Sequence, residues 1–172
     1  MTDPAIHAAP PLHLEVSGAG PSLLAVHGWS RSSADLGPLA AALPGHRVLR
    51  PDLPGHGRSA PGPLTLAALA DALAALAAAE APRGAVLLGW SMGAQVALAA
   101  LAAHPALRAL TRGVVLLGAT PRFTEGEGWP HGQPLRAVEG LALRVRRAPA
   151  RALARFLDDC FAPGELDAAG EA

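Results

Sequence analysis

The pentapeptide Gly89-Trp90-Ser91-Met92-Gly93 stands between a short apolar run, Ala85 to Trp90, and an alanine-rich stretch that begins at Met92. An apolar run of that length bounded by glycine reads as a buried strand, and the stretch up to His104 reads as a helix that Pro105 stops. The chain must therefore reverse sharply from strand to helix at Ser91, which the two glycines permit because they bring no Cβ into the corner. A serine so placed projects its hydroxyl from the exposed end of a sheet, with the positive end of a helix behind it. This is the context of a nucleophile elbow; a loop serine in a chance glycine-rich match would need neither the strand before it nor the helix after it.

The same alternation runs through the first two thirds of the chain. Three more runs, Ser22 to His27, His46 to Pro51 and Gly113 to Gly118, are nearly continuous in Leu and Val, as in parallel strands covered on both faces. Helical stretches lie between them, at about 33–43 and 65–79, the latter with Thr65 as its N-cap. Strand alternating with helix predicts an α/β core with a parallel sheet. A length of 172 residues suits one domain with a sizeable core. We assign residues 1–120 to that core, 121–162 to a partial helical lid and 163–172 to a disordered tail. The lid assignment rests on the Gly- and Pro-rich segment Pro121 to Pro134, followed by two helices at about 135–147 and 149–160. In the second, Leu153, Phe156, Leu157 and Cys160 recur at helical spacing and form one face, while Arg151 and Arg155 lie one turn apart on another.

Charge excludes some partners and suggests another. All fourteen basic residues are arginine and are balanced by fourteen acids, so no global field draws the chain to nucleic acid or to an anionic membrane. Locally the balance differs: Arg136, Arg144, Arg146, Arg147, Arg151 and Arg155 face one acid, Glu139, between Gln133 and Leu157. Arginine in that density suits carboxylates and phosphate, the bland alternative being a solvated helix face. The single cysteine, Cys160, cannot form an intrachain disulfide, and the N-terminus lacks a basic signal region. Asp71, Glu80 and Gln95 interrupt the long Ala/Leu stretches, so no spanning helix is expected. The expected location is cytoplasmic, with no metal or cofactor.

His27-Gly28-Trp29 ends an earlier strand, where a backbone N–H can join that of Met92 in a two-donor oxyanion hole. His27 itself reads as a structural hydrogen-bonding residue rather than a base. Asp52 and His56, in the turn from Arg50 to Ser59, read as local turn bonding.

His27-Gly28-Trp29, the segment Asp52 to Ser59 and the pentapeptide around Ser91 together resemble the α/β-hydrolase superfamily. Within it, Gly89-Trp90-Ser91, Pro121-Arg122-Phe123, Trp129-Pro130 and Arg155-Phe156-Leu157 resemble the pimeloyl-acyl-carrier-protein methyl ester carboxylesterases of biotin synthesis, over about residues 22–162. The resemblance implies a mostly parallel sheet with flanking helices and a helical lid. It implies Ser91 as nucleophile, Trp29 and Met92 as oxyanion donors and Phe156 in the acyl pocket. It also places Arg151 and Arg155 toward an acidic acyl carrier protein, a small ester being the other substrate class. Ala94 departs from the family where a second glycine is common, and Cys160 replaces a polar pocket residue. Ser91 argues against epoxide hydrolases and dehalogenases, which resemble this chain but carry Asp at the elbow.

Superfamily chain order is Ser, then Asp or Glu, then His. After Ser91 the histidines are His104 and His131, neither following a late strand, and Asp158 and Asp159 lie on the lid helix. The Asp and His of the triad are not found. The expectation is a fold truncated after the lid begins, and either completed by a complementary C-terminal half or catalytically incompetent. A general esterase, lactonase or thioesterase is the alternative activity.

Overall fold

A computed structural model describes residues 12–160. The chain divides into two units, Met1–Pro121 and Arg122–Ala172. The expected tail, 163–172, lies outside the described residues.

In the first unit five strands, Leu14–Ser17 (β1), Ser22–Val26 (β2), Arg47–Pro51 (β3), Ala85–Trp90 (β4) and Thr111–Leu117 (β5), form one sheet in the order β1-β3-β2-β4-β5. The four strands from β2 to β5 are parallel, and β1 runs antiparallel along β3 with Leu14 opposite Pro51. Sequence periodicity misses β1 because four residues, one of them the exposed Val16, are too short to show a pattern. Consecutive β2 residues feed opposite faces: Leu24 and Val26 join one core cluster, Leu23 and Ala25 the other. Both faces are covered, which explains runs that are apolar throughout rather than alternating.

Helices Leu66–Glu80 (α2), Met92–Ala103 (α3) and Pro105–Leu110 (α4) cover one face, meeting it with Leu69, Leu73, Ala77, Val96, Ala97, Ala100 and Leu107. The short helix Gly37–Ala41 (α1) covers the other through Ala40, with Leu36 just before it. A 3-10 turn, Ser33–Leu36, precedes α1, so the single helix expected over 33–43 is split. Pro105 does stop α3, but it also opens α4, because proline at a first helical turn lacks only an N–H that would have no partner there. Thr65 caps α2 by accepting from Ala68 N at 3.2 Å. At the other end Arg47 donates from Nη1 to Glu80 O at 2.6 Å and from Nη2 to Glu80 Oε2 at 2.9 Å, tying the helix to β3.

Two close approaches seat α3. A Cβ on Gly93 would lie 2.3 Å from Val26 O and 2.6 Å from His27 O, and one on Gly89 would lie 2.5 Å from Ala94 Cα. On the far side β5 pairs with β4 alone among the described strands, and Val114, Val115, Leu116 and Leu117 are each about 40% exposed.

Asp52, 1% exposed, knots the exit of β3. Its Oδ1 accepts from Ser33 N at 2.6 Å and its Oδ2 from Arg58 N at 2.9 Å. Its backbone oxygen accepts from Ser59 Oγ at 2.6 Å, and that oxygen in turn accepts from His13 N at 2.8 Å. Gly57, at φ +51°, lets the turn close round the carboxylate, since a Cβ there would sit 2.3 Å from Oδ2. Burial alone would raise the pKa of Asp52, but the N–H groups of Arg58 and Ser33 outweigh it and hold the carboxyl below its ordinary value.

The second unit opens with a loop in which Glu125 N bonds Gln133 O at 3.0 Å and Trp129 Nε1 donates to Arg122 O at 3.0 Å. Two helices follow, Leu135–Arg147 (α5) and Pro149–Asp158 (α6). Leu153, Phe156 and Leu157 are half-buried as the helical spacing requires. Cys160 is exposed: α6 ends at Asp158, so the fourth residue of the expected face falls outside the helix. Among the described residues no helix is long and apolar enough to cross a membrane.

Two outcomes follow from these contacts. Gly93→Ala will destabilise the first unit by about 3 kcal/mol, because the opposing atoms are backbone and cannot give way; denaturant unfolding measures this. Asp52→Asn will cost about 2 kcal/mol by removing a charged acceptor of two buried amides. In the parent chain the unfolded state takes up the Asp52 proton more readily than the folded one. Its contribution is therefore full above the ordinary value of 3.8 and lost as pH falls through the lowered one. Unfolding followed against pH will show the Asn variant lacking that share of the acid slope.

Candidate active site

Ser91 sits where the sequence places it, between the end of β4 and the first turn of α3, with φ 53° and ψ −115°. For a non-glycine residue this conformation costs about 1–3 kcal/mol and persists only where its surroundings enforce it. Here they do so through three backbone bonds. Ser91 N donates to Leu117 O at 2.9 Å, extending the ladder to β5, while Ser91 O accepts from Ala94 N at 2.9 Å and Gln95 N at 3.4 Å. The Ser91 side chain makes no capping bond to α3, and the residue is exposed. Gln95 Nε2 donates to Thr120 O at 3.2 Å, binding the helix to the segment after β5.

The loop after β2 lies against this corner. A Cβ on Gly28 would be 3.4 Å from Ser91 Cβ and 3.4 Å from Trp90 O, so the loop lies in van der Waals range of Ser91. Arg31 N donates to Gly28 O at 3.3 Å, closing a turn whose third residue, Ser30, has φ 61°. A type II turn demands positive φ at that position. Ser30 and Ser91 are the only non-glycine residues with positive φ among the described residues, and both fall at this one corner. Ser30 Oγ is buried without a hydrogen-bond partner. Composition and periodicity carry no sign of the Ser30 turn, because serine is not a residue that announces positive φ.

Two backbone amides border Ser91. Trp29 follows Gly28 in the loop, and Met92 is the first residue of α3, whose leading N–H groups have no acceptor within the helix. Trp90 packs partly into the core on the α1 side, and the Arg31 guanidinium lies 5.6 Å from its ring centroid. Arg31 also pairs with Asp35 at 3.3 Å.

The nearby histidine is fully engaged. His27 is 0% exposed, its Nδ1 lies 2.8 Å from Gly28 O, and its Nε2 accepts from Leu53 N at 3.0 Å. Burial is the main cause of its lowered pKa. With both nitrogens bonded to backbone it has none to offer a substrate, which agrees with a structural role. His56 bonds locally through Nδ1 to Pro54 O at 3.0 Å. His104 pairs with Asp71 at 2.9 Å at the far end of α3, roughly 20 Å from Ser91 by helix rise. His131, in the second unit, stands edge-on to Trp129 at 5.3 Å. Among the described residues of the first unit, none of the histidine contacts forms an acid–histidine pair beside Ser91.

Arg151 and Arg155 lie in the second unit, as do Phe156 and Cys160. With Arg144, Arg147, Ala148 and Ala152 the two arginines line a cavity of about 260 Å³ at the junction of α5 and α6. In sequence all four fall in the arginine-rich segment from Arg136 to Arg155, but only the α6 pair is assigned there to an acidic partner. Arg144 and Arg147 continue their spacing across the helix break at Ala148, which hides the relation in a helix-by-helix reading. Among the described residues no three His, Cys, Asp or Glu side chains gather as metal ligands.

The model of the alpha/beta hydrolase family matches residues 23–171. Among curated relatives, the pimeloyl-[acyl-carrier protein] methyl ester esterase of Xylella fastidiosa (strain M23) is 39% identical over 147 residues, which is 85% of this chain and 55% of that protein. The protein of the same name from Stenotrophomonas maltophilia (strain R551-3) is 38% identical over 149 residues. The chain thus spans about half the length of the curated relatives it matches. Among solved structures, an esterase from Exiguobacterium antarcticum is 25% identical with TM-score 0.74, covering 84% of this chain and 55% of that one. A bromoperoxidase from Bacillus anthracis, 24% identical with TM-score 0.77 over 90% of this chain and 57% of its own, shares the fold. A parallel sheet with a strained serine at its strand-to-helix corner and a family match over most of its length make this chain a member of the alpha/beta hydrolase family.

Proposed function

We propose that the chain is the nucleophile-bearing part of a serine carboxylesterase that cleaves the methyl ester of a pimeloyl-carrier-protein-like acyl substrate, as in biotin synthesis. The observation that carries this reading is the strained Ser91 corner with Gly28 packed against it. Ser91 Oγ attacks the ester carbonyl carbon, the Trp29 and Met92 amides stabilise the tetrahedral oxyanion, methanol leaves, and water releases the acid from the acyl-serine. Phe156 and Cys160 are assigned to the acyl pocket. The names of the relatives support the substrate class. The arginines around the α5–α6 cavity suit an acidic acyl carrier protein and its phosphate. The location proposed is the cytoplasm.

Serine is a weak nucleophile without an adjacent base. The proposal assigns that base, with its orienting acid, to a complementary C-terminal half. The second reading, a general esterase, lactonase or thioesterase, or a fragment that binds without turning over, is favoured only by the lack of an acid–histidine pair beside Ser91 among the described residues of the first unit.

The test is hydrolysis of a small methyl ester by the chain alone and by the chain mixed with the C-terminal part of the Xylella fastidiosa relative. The chain alone will be slow and the mixture faster by about a thousandfold or more, while Ser91→Ala will abolish the gain. A gain that survives Ser91→Ala sinks the reading. In the active mixture, replacing both Arg151 and Arg155 by Glu will lower kcat/KM for a carrier-bound ester about tenfold and leave the small ester unchanged, because rim charges act on encounter rather than chemistry. The preference for the carrier-bound ester will shrink as salt shortens the Debye length below about 8 Å. Equal losses on both esters would mean that the arginines serve the helices' own fold.

A further inference from the structure

The carbonyl of Gly28 and the N–H of Trp29 belong to one trans peptide, so they point in opposite directions and whatever fixes one aims the other. Two donors reach that carbonyl: Arg31 N at 3.3 Å, and the His27 ring, whose Nδ1 lies at 2.8 Å. The first closes a turn that is itself strained, with Ser30 at φ 61°. The second is shorter and comes from a side chain buried in the core. The ring is held at its other end as well, where Leu53 N donates to Nε2 at 3.0 Å. Because Leu53 N can only donate, Nε2 must accept, and a neutral imidazole then carries its proton on Nδ1 and gives it to Gly28 O. The bonding pattern thereby sets the tautomer.

We propose that His27 is a positioning residue: it bridges the loop after β3 to the peptide between Gly28 and Trp29 and locks that peptide with the Trp29 amide directed toward an oxyanion formed at Ser91. The functional half of this statement rests on the assignment of Trp29 as an oxyanion donor; the lock itself does not. The link also explains a shared feature of the two loops. The turn from Pro54 to Ser59 is clamped by Asp52, and through Leu53 and His27 that rigidity reaches the loop beside Ser91.

Protonation would break the bridge on one side only, placing an Nε2–H against Leu53 N–H while leaving Nδ1 on Gly28 O. Burial resists this, and so does His56, whose ring centroid lies 5.1 Å away on the turn after β3. The bond to Gly28 O, Asp52 at the end of β3 and Asp35 in the 3-10 turn act in the opposite sense without prevailing. The ring stays neutral below its ordinary value of 6.5, so the lock holds through neutral and mildly acidic conditions.

Two substitutions separate the two ends of the bridge. Asn places an amide donor near Nδ1 and keeps the bond to Gly28 O; Gln places an acceptor near Nε2, keeps Leu53 and loses Gly28. The residual dipolar coupling of the Trp29 N–H, measured on the full chain against those of β2 and β4, reads the peptide's orientation. His27→Asn will leave it near the parent value and His27→Gln will change it. The rate of phosphorylation of Ser91 by diethyl 4-nitrophenyl phosphate, in which Oγ bonds to phosphorus, its proton passes to solvent base and 4-nitrophenolate leaves, will fall about tenfold to a hundredfold in the Gln variant. It will stay within about threefold in the Asn variant. A Trp29 coupling unmoved by His27→Gln overturns the lock, as does equal slowing in both variants. A coupling that follows the expected pattern while Ser91 is not phosphorylated even in the mixture with the C-terminal part of the Xylella fastidiosa relative supports the lock and counts against the serine-hydrolase reading instead. Should both variants fail to fold, the long-range proton–nitrogen spectrum of the parent chain decides. A proton on Nδ1 at and below pH 6.5 supports the lock, and a proton on Nε2 or a charged ring at neutral pH overturns it.

Discussion

The close approach of α3 to the ends of β2 and β4 is the constraint on which the rest of the first unit depends. Backbone meets backbone where Gly93 stands over Val26 O and His27 O, with no room for a single carbon. That contact fixes the angle at which the helix leaves the sheet, and the angle forces Ser91 into positive φ. The strain is local, but its support is spread over three strands, since the Ser91 amide is bonded to β5 and the Gly28 loop leans on Ser91 from β2. Neighbouring parts therefore cannot relax independently.

Much of this was legible from residue order, and for a definite reason. A serine between two glycines, after an apolar run and before an alanine-rich stretch, admits few chain paths. The runs Ser22 to Val26 and Ala85 to Trp90 could be recognised as covered on both faces because, Ser22 and Gly89 aside, every residue in them carries an apolar side chain. The misses share a cause as well. Leu14–Ser17 is a strand only because β3 offers it an edge, and Pro105–Leu110 is a helix only because proline can begin what it ends. Ser30 is strained by a turn whose partner bond is long-range in effect though short in sequence. These features are set by tertiary context, which residue types alone do not encode.

The two units differ in how charge is handled. In the first, ionised groups are absorbed into backbone bonding: Asp52 is buried among amides, and Arg47 is spent on the end of α2. In the second, Arg144, Arg147, Arg151 and Arg155 share one cavity, and among the described residues the one acid paired with them is Asp159, 3.9 Å from Arg155 and exposed. Such crowding of like charge raises the energy of the two helices and is relieved by an anion. Charge is thus satisfied by backbone in the first unit and left to solvent or an anion in the second.

Strand β5 joins these themes. Its inner edge supplies Leu117 O to the Ser91 amide, while its outer edge pairs with no other described strand and the side chains from Val114 to Leu117 are about 40% exposed. An open apolar edge is a template for another strand. A strand docking there would brace the same peptide that props the serine, so the sharpness of the corner would track what occupies an edge on the opposite side of β5. Quality of assembly and the geometry of the serine corner are then one mechanical property, read at two places along a seven-residue strand.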